Sequence, residues 1–303
     1  MRKQSIKGKI QIASYDDLLS GGVDHSKNDI TDMPLINLHE FKNHPFHVVD
    51  DERMQELVES IKEKGVLSPA IVRKREKGGY EIISGHRRRR ACELAGLLSM
   101  PVIIKDLDDD EATILMVDAN IQRENILPSE RAFAYKMRMD AEGRQGKRTK
   151  SDDKITSRQV VEKLTSDRIG EDSGISGRQV NRYIRLTNLI PELLEKVDSG
   201  KIGFVPAVNI SSIDKAGQKW ILRVLEESNK KITLRQSELL KKEAADGALT
   251  EETVVTILVG KDAITRTVTL SEGDLKQYFP ESMEAGEIKE IIKELLEKWS
   301  ENR

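Results

Sequence analysis

Four arginines in a row, Arg87 to Arg90, follow a β-branched run and a glycine in the stretch SGHRRRRA, Ser84 to Ala91. A guanidinium resists burial unless it is paired, so these side chains must ring the start of a helix and face charge, solvent or a ligand. The flanks fix that helix start. Before it, Tyr80 to Ser84 reads as a short strand; after it, Ala91, Leu94 and Ala95 recur at helical spacing up to a stop at Gly96. The order strand, glycine, helix presents free backbone N–H groups and the positive end of the helix dipole at Gly85, where the absent side chain lets a ligand come close. Arginine forks at such a place complete a polyphosphate site, the plainer alternative being a basic helix face on DNA or in solvent.

Patterning around this point predicts a compact α+β domain. Leu35 to Phe41 reads as a strand and turn. The run DDERMQELVESIKEKGVL places Met54, Leu57, Val58 and Ile61 at helical spacing and stops at Gly65, which makes an amphipathic helix. Pro69 to Lys74 and Tyr80 to Ser84 form strands joined through Gly78 and Gly79, as a hairpin requires. A third strand (PVIIKDL), a helix ending in ANIQREN and a helix opening near Pro128 follow. The amides and guanidinium of Asn120, Gln122 and Arg123 can hydrogen-bond phosphate oxygens or offer an amide oxygen to magnesium, although an ordinary helix end has the same composition. In GVLSPAIVR, the backbone of Ser68, Pro69 and Ala70 can meet a base edge or simply turn into a strand.

The chain of 303 residues is long enough for two or three domains. Its 34% charged and 4% aromatic content points to solvated helices with modest apolar clusters. No apolar window is long enough to span a membrane, and the first residues lack the apolar core of a secretory signal. With Cys92 the only cysteine, no intrachain disulfide can form, so a cytoplasmic protein is expected. The histidines show no metal-ligand spacing, and Cys92 reads as a small buried thiol rather than a nucleophile.

Charge is unevenly placed. From Gly143 to Ile190 there are 11 basic against 6 acidic residues, and from Glu238 to Arg303 there are 9 against 15. A basic block beside an acidic one fits a DNA-contacting module joined to a partner-contacting one. RQGKRTKSDD, from Arg144 to Asp153, reads as a linker in which Lys147, Arg148 and Lys150 contact phosphates. Two short helices, Ser157 to Asp167 and Ile175 to Ile190, flank the turn IGEDSG as in a helix-turn-helix, with a third helix after Pro191. On the second, Arg178, Gln179, Asn181, Arg182 and Arg185 are suited to base edges and phosphates, while Val180, Ile184 and Leu186 pack inward. Helices continue to Ala245. Beyond Gly247, TVVTILVG and AITRTVTL read as strands, and a terminal amphipathic helix carries Ile288, Ile291, Ile292, Leu295, Leu296 and Trp299 on one stripe. That stripe needs a partner: a second chain in a homodimer or, alternatively, the Ile221/Leu222/Leu225 helix.

The expected organisation is a flexible arm (1–33), an α+β nucleotide-binding domain (34–142), an all-α helix-turn-helix domain (143–245) and a small α/β C-terminal self-association unit (248–303).

The segments IKEKG, VLSPAIVR, GYEIISGHRRRRACELAG, PVIIKDL, NIQREN and LPSERA, in this order, resemble the amino-terminal ParB/sulfiredoxin-like domain of ParB-family chromosome and plasmid partition proteins. The match runs from Leu35 to Tyr135, with the helix-turn-helix next as in the family. The resemblance implies a CTP-gated clamp that loads on a centromere-like DNA site, closes on nucleotide and Mg2+, slides, and works with a ParA-like ATPase. The family's GERR-type triphosphate grip maps onto Gly85, His86, Arg87 and Arg88. Its ENxQR-type motif, which contacts phosphates and metal, maps onto Asn120, Gln122 and Arg123, with Asn120 as the metal ligand; its cytosine-reading segment maps onto Ser68, Pro69 and Ala70. Two positions depart from the pattern. His86 stands where the family has an acid, and Ala119 where it has a glutamate associated with hydrolysis. An alanine cannot orient or deprotonate water, and Asp118 lies about 100° away around the helix. The resemblance thus implies nucleotide binding and leaves CTP hydrolysis open. Sulfiredoxins share the fold but place a catalytic cysteine directly before the His-Arg pair, where this chain has Gly85. A helix-turn-helix transcriptional regulator without nucleotide gating is the alternative; pairing Arg87 and Arg88 with Asn120 and Arg123 argues against it.

Overall fold

A computed structural model describes residues 29–123, 125–148, 158–228, 230–260, 278–280, 283 and 285–301. Five strands, β1 (Ile30–Pro34), β2 (Leu38–His39), β3 (Ala70–Lys74), β4 (Tyr80–Ser84) and β5 (Ser99–Ile104), form one mixed sheet in the order β1-β5-β3-β4-β2. β3 runs antiparallel to β4 and parallel to β5. The β3–β4 turn closes because Gly78 and Gly79 take φ of 87° and 72°, which side chains disfavour. Both faces of the sheet are covered, and strand alternation divides the residues between them. Ala70, Val72 and Ile82 join one core with Met54 and Ile61 of α1 (Glu52–Lys64) and with Ala91 and Cys92 of α2 (His86–Leu94). Ile71 and Ile83 join the other with Met116 and Val117 of α3 (Asp109–Ile121) and Tyr135 of α4 (Pro128–Arg148). Cys92 is fully buried and burial raises its thiol pKa, as a packing role requires.

The described residues of the carboxy-terminal half form helices: α5 (Arg158–Asp172), α6 (Gly177–Leu186), α7 (Pro191–Asp198), α8 (Phe204–Ile210), α9 (Lys215–Ser228), α10 (Leu234–Ala245), α11 (Glu251–Val259) and α12 (Ala285–Glu301). Leu186, Leu193, Ile210, Ile221, Leu240, Val254 and Leu258 share its core.

Several expectations shift. β1 begins at Ile30, inside the segment read as an arm, because its pairing with β5 satisfies the backbone there. Leu35 to Asn37 form a 3-10 turn, leaving only Leu38 and His39 as strand. α4 runs through to Arg148, so Arg144 is helical rather than linker, and its guanidinium meets Asp110 at 2.8 Å. Extending an established helix costs little, and RQGKR holds no proline to stop it. The boundary at 142/143 therefore falls inside a helix. It also divides one core, since Ile169 of α5 and Val180 of α6 pack with the sheet residues Ile71 and Ile83.

TVVTILVG is a helix, not a strand. Thr250 and Thr253 form a capping box at its start, and Val254 and Leu258, one turn apart, enter the helical core. Packing at a four-residue period overrides β-branched propensity here. The 248–303 unit thus begins within the helical domain, and Ile221 and Leu225 of α9 pack with α11. AITRTVTL lies outside the described residues. The terminal helix is present as α12, with Ile291 and Leu295 exposed.

Candidate phosphate site and helix-turn-helix

Gly85 caps α2 at a φ of 115°, and a Cβ there would stand 2.8 Å from Ala70 Cβ. Only glycine allows the end of β4 to lie this close to the Ser68–Ala70 segment. Arg88 fastens the two together: its Nη1 donates to Ser68 O at 2.5 Å, Pro69 O at 2.7 Å and Ser68 Oγ at 3.2 Å. These acceptors are neutral, and among the described residues no carboxylate pairs with Arg88. The other arginines of the run divide by direction. Arg89 pairs with Glu93 one turn on, at 2.9 Å, and Arg90 with Asp50 at 2.6 Å. Arg87 reaches Asp51, which also caps α1, at 3.2 Å.

Arg123, just beyond α3, joins this group. Partial burial of its head group lowers its pKa, and repulsion from Arg87 and Arg88 lowers it further. Glu130 attracts Arg123 and Asp51 pairs with Arg87, so three guanidiniums meet two carboxylates, and the remaining positive charge makes a place for an anion. Asn120 is buried and turned back on its helix, Nδ2 donating to Met116 O at 2.8 Å, which leaves Oδ1 as its acceptor. Gln122, the C-cap of α3, is exposed. Among the described residues no cluster of three His, Cys, Asp or Glu could hold a metal. A single amide oxygen still fits magnesium, which keeps most of its shell as water and phosphate oxygens. Asp118 faces away from the site and bonds Arg138 at 2.5 Å.

The site contains one residue that motif spacing does not single out. His44 stacks on His86 with ring centroids 3.9 Å apart, and Nε2 of each is buried with no hydrogen-bond partner. His44 Nδ1 donates to Phe46 O at 2.7 Å, which fixes the tautomer and leaves Nε2 a bare acceptor. The two rings are 42 positions apart in sequence, and no local pattern links them. Burial, then His44, Arg123 and Arg89, lowers the His86 pKa to about 3; His44 is lowered as well, first by burial. A histidine depressed in the folded state binds fewer protons than in the unfolded chain between that value and its ordinary 6.5, so stability falls as pH drops through this window. Going from pH 7 to pH 5 should cost about 2 kcal/mol through His86 alone. Urea unfolding of the wild type and of His86→Phe, which keeps the ring, should show this slope flattened in the variant; equal slopes would refute the assignment.

The helix-turn-helix is built on two close approaches. A Cβ on Gly170 of α5 would lie 2.6 Å from Ile175 O, and one on Gly177 of α6 would lie 2.8 Å from the backbone of Asp167. α5 continues to Asp172, so the turn is shorter than IGEDSG implied, with Gly174 at a φ of 69°. Ser176 caps α6 by accepting from Gln179 N. Arg178, Asn181, Arg182 and Arg185 are exposed, Gln179 half-buried, and Val180 and Leu186 buried. Tyr183 belongs to the rim, its ring 4.7 Å from Phe204 and under the Arg131 guanidinium. Lys147 and Arg148 close α4 rather than lying in a linker, and Lys150 is outside the described residues.

Fold and site together define a two-part protein: a sheet domain with an arginine-lined helix start, continued through a shared core into a run of helices that begins with α5, a short turn and α6. Residues 20–121 match the ParB N-terminal domain. The chromosome-partitioning protein Spo0J of Thermus thermophilus is 30% identical over 213 residues, 70% of each chain. A probable chromosome-partitioning protein ParB of Neisseria meningitidis serogroup B is 29% identical over 277 residues, 87% of this chain and 89% of that one. The chain belongs to the ParB family of chromosome-partitioning proteins. Among solved structures, C-terminally truncated ParB of Caulobacter crescentus complexed to the centromeric parS site aligns at 24% identity and a TM-score of 0.42, over 71% of this chain and all of that one. The same protein complexed with CTP-gamma-S aligns at 26% identity and a TM-score of 0.30, over 64% and 97%.

Proposed function

We propose that this chain is a DNA-segregation protein that binds CTP and reads a centromere-like DNA site. Arg88 is the observation that carries the nucleotide reading, since it joins the helix start to the Ser68–Ala70 segment while keeping its charge free of any carboxylate among the described residues. In this reading Ser68, Pro69 and Ala70 present backbone groups to the cytosine edge. Gly85, His86, Arg87 and Arg88 take the triphosphate with Gln122 and Arg123. Asn120 gives its free amide oxygen to Mg2+, which would neutralise phosphate charge. Arg178, Gln179, Asn181, Arg182 and Arg185 enter the major groove, with Lys147, Arg148 and Lys150 on the backbone. The exposed apolar residues of α12 pair two chains into a homodimer, which CTP closes into a sliding clamp on the nucleoid, and a ParA-like ATPase is the partner. Turnover lacks support: Ala119 has no carboxylate and Asp118 is engaged by Arg138.

Equilibrium titration with CTP, ATP, GTP and UTP in Mg2+, followed by sedimentation of the same samples, tests this. CTP should bind in preference to the other three, to a species of dimer mass. Equal affinity for all four nucleotides, or none, would overturn the site, and a monomer at micromolar concentration would overturn the role of α12.

A further inference from the structure

α4 lays a buried stripe along one face at spacings of three and four: Ala134, Tyr135, Arg138, Ala141 and Glu142. An apolar side chain is the ordinary occupant of the middle position. Arg138 is instead 1% exposed, the largest fully buried side chain of those described, and its fork serves three helices at once. Nη1 donates to Asp118 of α3 at 2.5 Å, Nε to Glu142 of its own helix at 3.0 Å, and Nη2 to Asp172 at the end of α5. Arg168 of α5 closes the group by pairing with Glu142. Two guanidiniums and three carboxylates therefore sit where the sheet domain meets the helix-turn-helix.

Arg138 and Glu142 are buried, while Asp118, Asp172 and Arg168 reach toward the surface; a buried ion pair rarely adds stability over well-packed apolar residues, and its best-attested use is to fix one arrangement among several. Lysine could not replace Arg138, because one ammonium cannot meet three carboxylates in the fixed directions of a guanidinium. Asp118 is two residues from Asn120, and Asp172 ends the helix that Gly170 and Gly177 hold against the recognition helix. We propose that Arg138 is a positioning residue, a strut that sets α5 and α6 relative to α3 and carries a change at Asn120–Arg123 to the recognition helix. The second half of this statement rests on the nucleotide reading; the first does not.

Spin labels at Glu59→Cys on α1 and Lys163→Cys on α5, both exposed, report the relative placement in the full chain, since Cys92 is buried. Without nucleotide, the parent should give a single narrow distance. Asp172→Asn, at a partly exposed position, and Arg138→Met, which fills the same space, should lose it, and Asp172→Glu should restore it. With CTP and Mg2+ the parent distance should shift, while Asp172→Asn binds CTP with parent affinity and shows no shift. The same narrow distance in all nucleotide-free variants overturns the strut, as does a CTP shift retained in Asp172→Asn. Absence of CTP binding by the parent defeats the nucleotide reading and the transmission drawn from it, and the nucleotide-free distances still decide the strut. Should Arg138→Met fail to fold, the Asp172 pair carries the decision.

Discussion

Arg88→Ala is expected to weaken CTP binding by roughly 10- to 150-fold, the effect of losing charge-assisted hydrogen bonds worth about 1.5–3 kcal/mol. The substitution removes the guanidinium proposed to meet the triphosphate and also the clamp on Ser68 and Pro69, so the segment proposed to read the base loses its support at the same time. Arg90→Ala is the contrasting control. Its guanidinium is committed to Asp50 on the outer side of α2, at a half-exposed pair of the kind that contributes little. Titration calorimetry should find the Arg90 variant within a few-fold of wild type. Equal losses for the two would mean that the whole arginine run acts as an undirected basic face.

A second large effect is expected at a residue that touches no ligand. Gly177→Val drives a branched side chain into the backbone of Asp167, where there is no space even for a Cβ, and overpacking of this kind costs about 1–3 kcal/mol. Relief can come only by swinging α6 away from α5, which misplaces Arg178, Asn181, Arg182 and Arg185, the exposed residues proposed to meet DNA, together. Cognate binding should therefore fall toward the level of random DNA, a span of roughly 10³ to 10⁷ in proteins that read sequence. Arg178→Ala should lose only the share of one base contact, about 1–3 kcal/mol. Competition binding against random duplex separates the two; a Gly177→Val protein that keeps its sequence preference would show that the glycine is not what sets the helix.

Local signals carried most of the sheet domain. The capped helix at Asp51, the Gly78–Gly79 hairpin and the glycine at the head of the arginine run are each written within a few residues, and each formed where its spacing placed it. What was not legible depends on distance along the chain. Nothing near His44 points to His86, and nothing near Arg138 announces that Asp118 and Asp172 converge on it; only the tertiary fold brings them within reach. Arg138 could have been noticed as a charge on an apolar stripe. TVVTILVG misled for a related reason, because valine and threonine favour strands until a helical period offers them a core. The four-residue interval from Val254 to Leu258 was visible in the run, but a short apolar segment satisfies both periods.

The core shared by the sheet and the helix-turn-helix limits how this protein can be re-targeted to a new DNA site. A chimera spliced at the polar run after α4 would import foreign residues at Ile169 and Val180, and with them a mismatch against Ile71 and Ile83. The transplantable unit is smaller than a domain: the outward positions of α6, exchanged on the native scaffold with Gly170, Gly177 and Val180 left in place. Divergence in site preference among homologues with this junction would then have to accumulate by surface replacement along one helix, and not by shuffling whole DNA-binding modules.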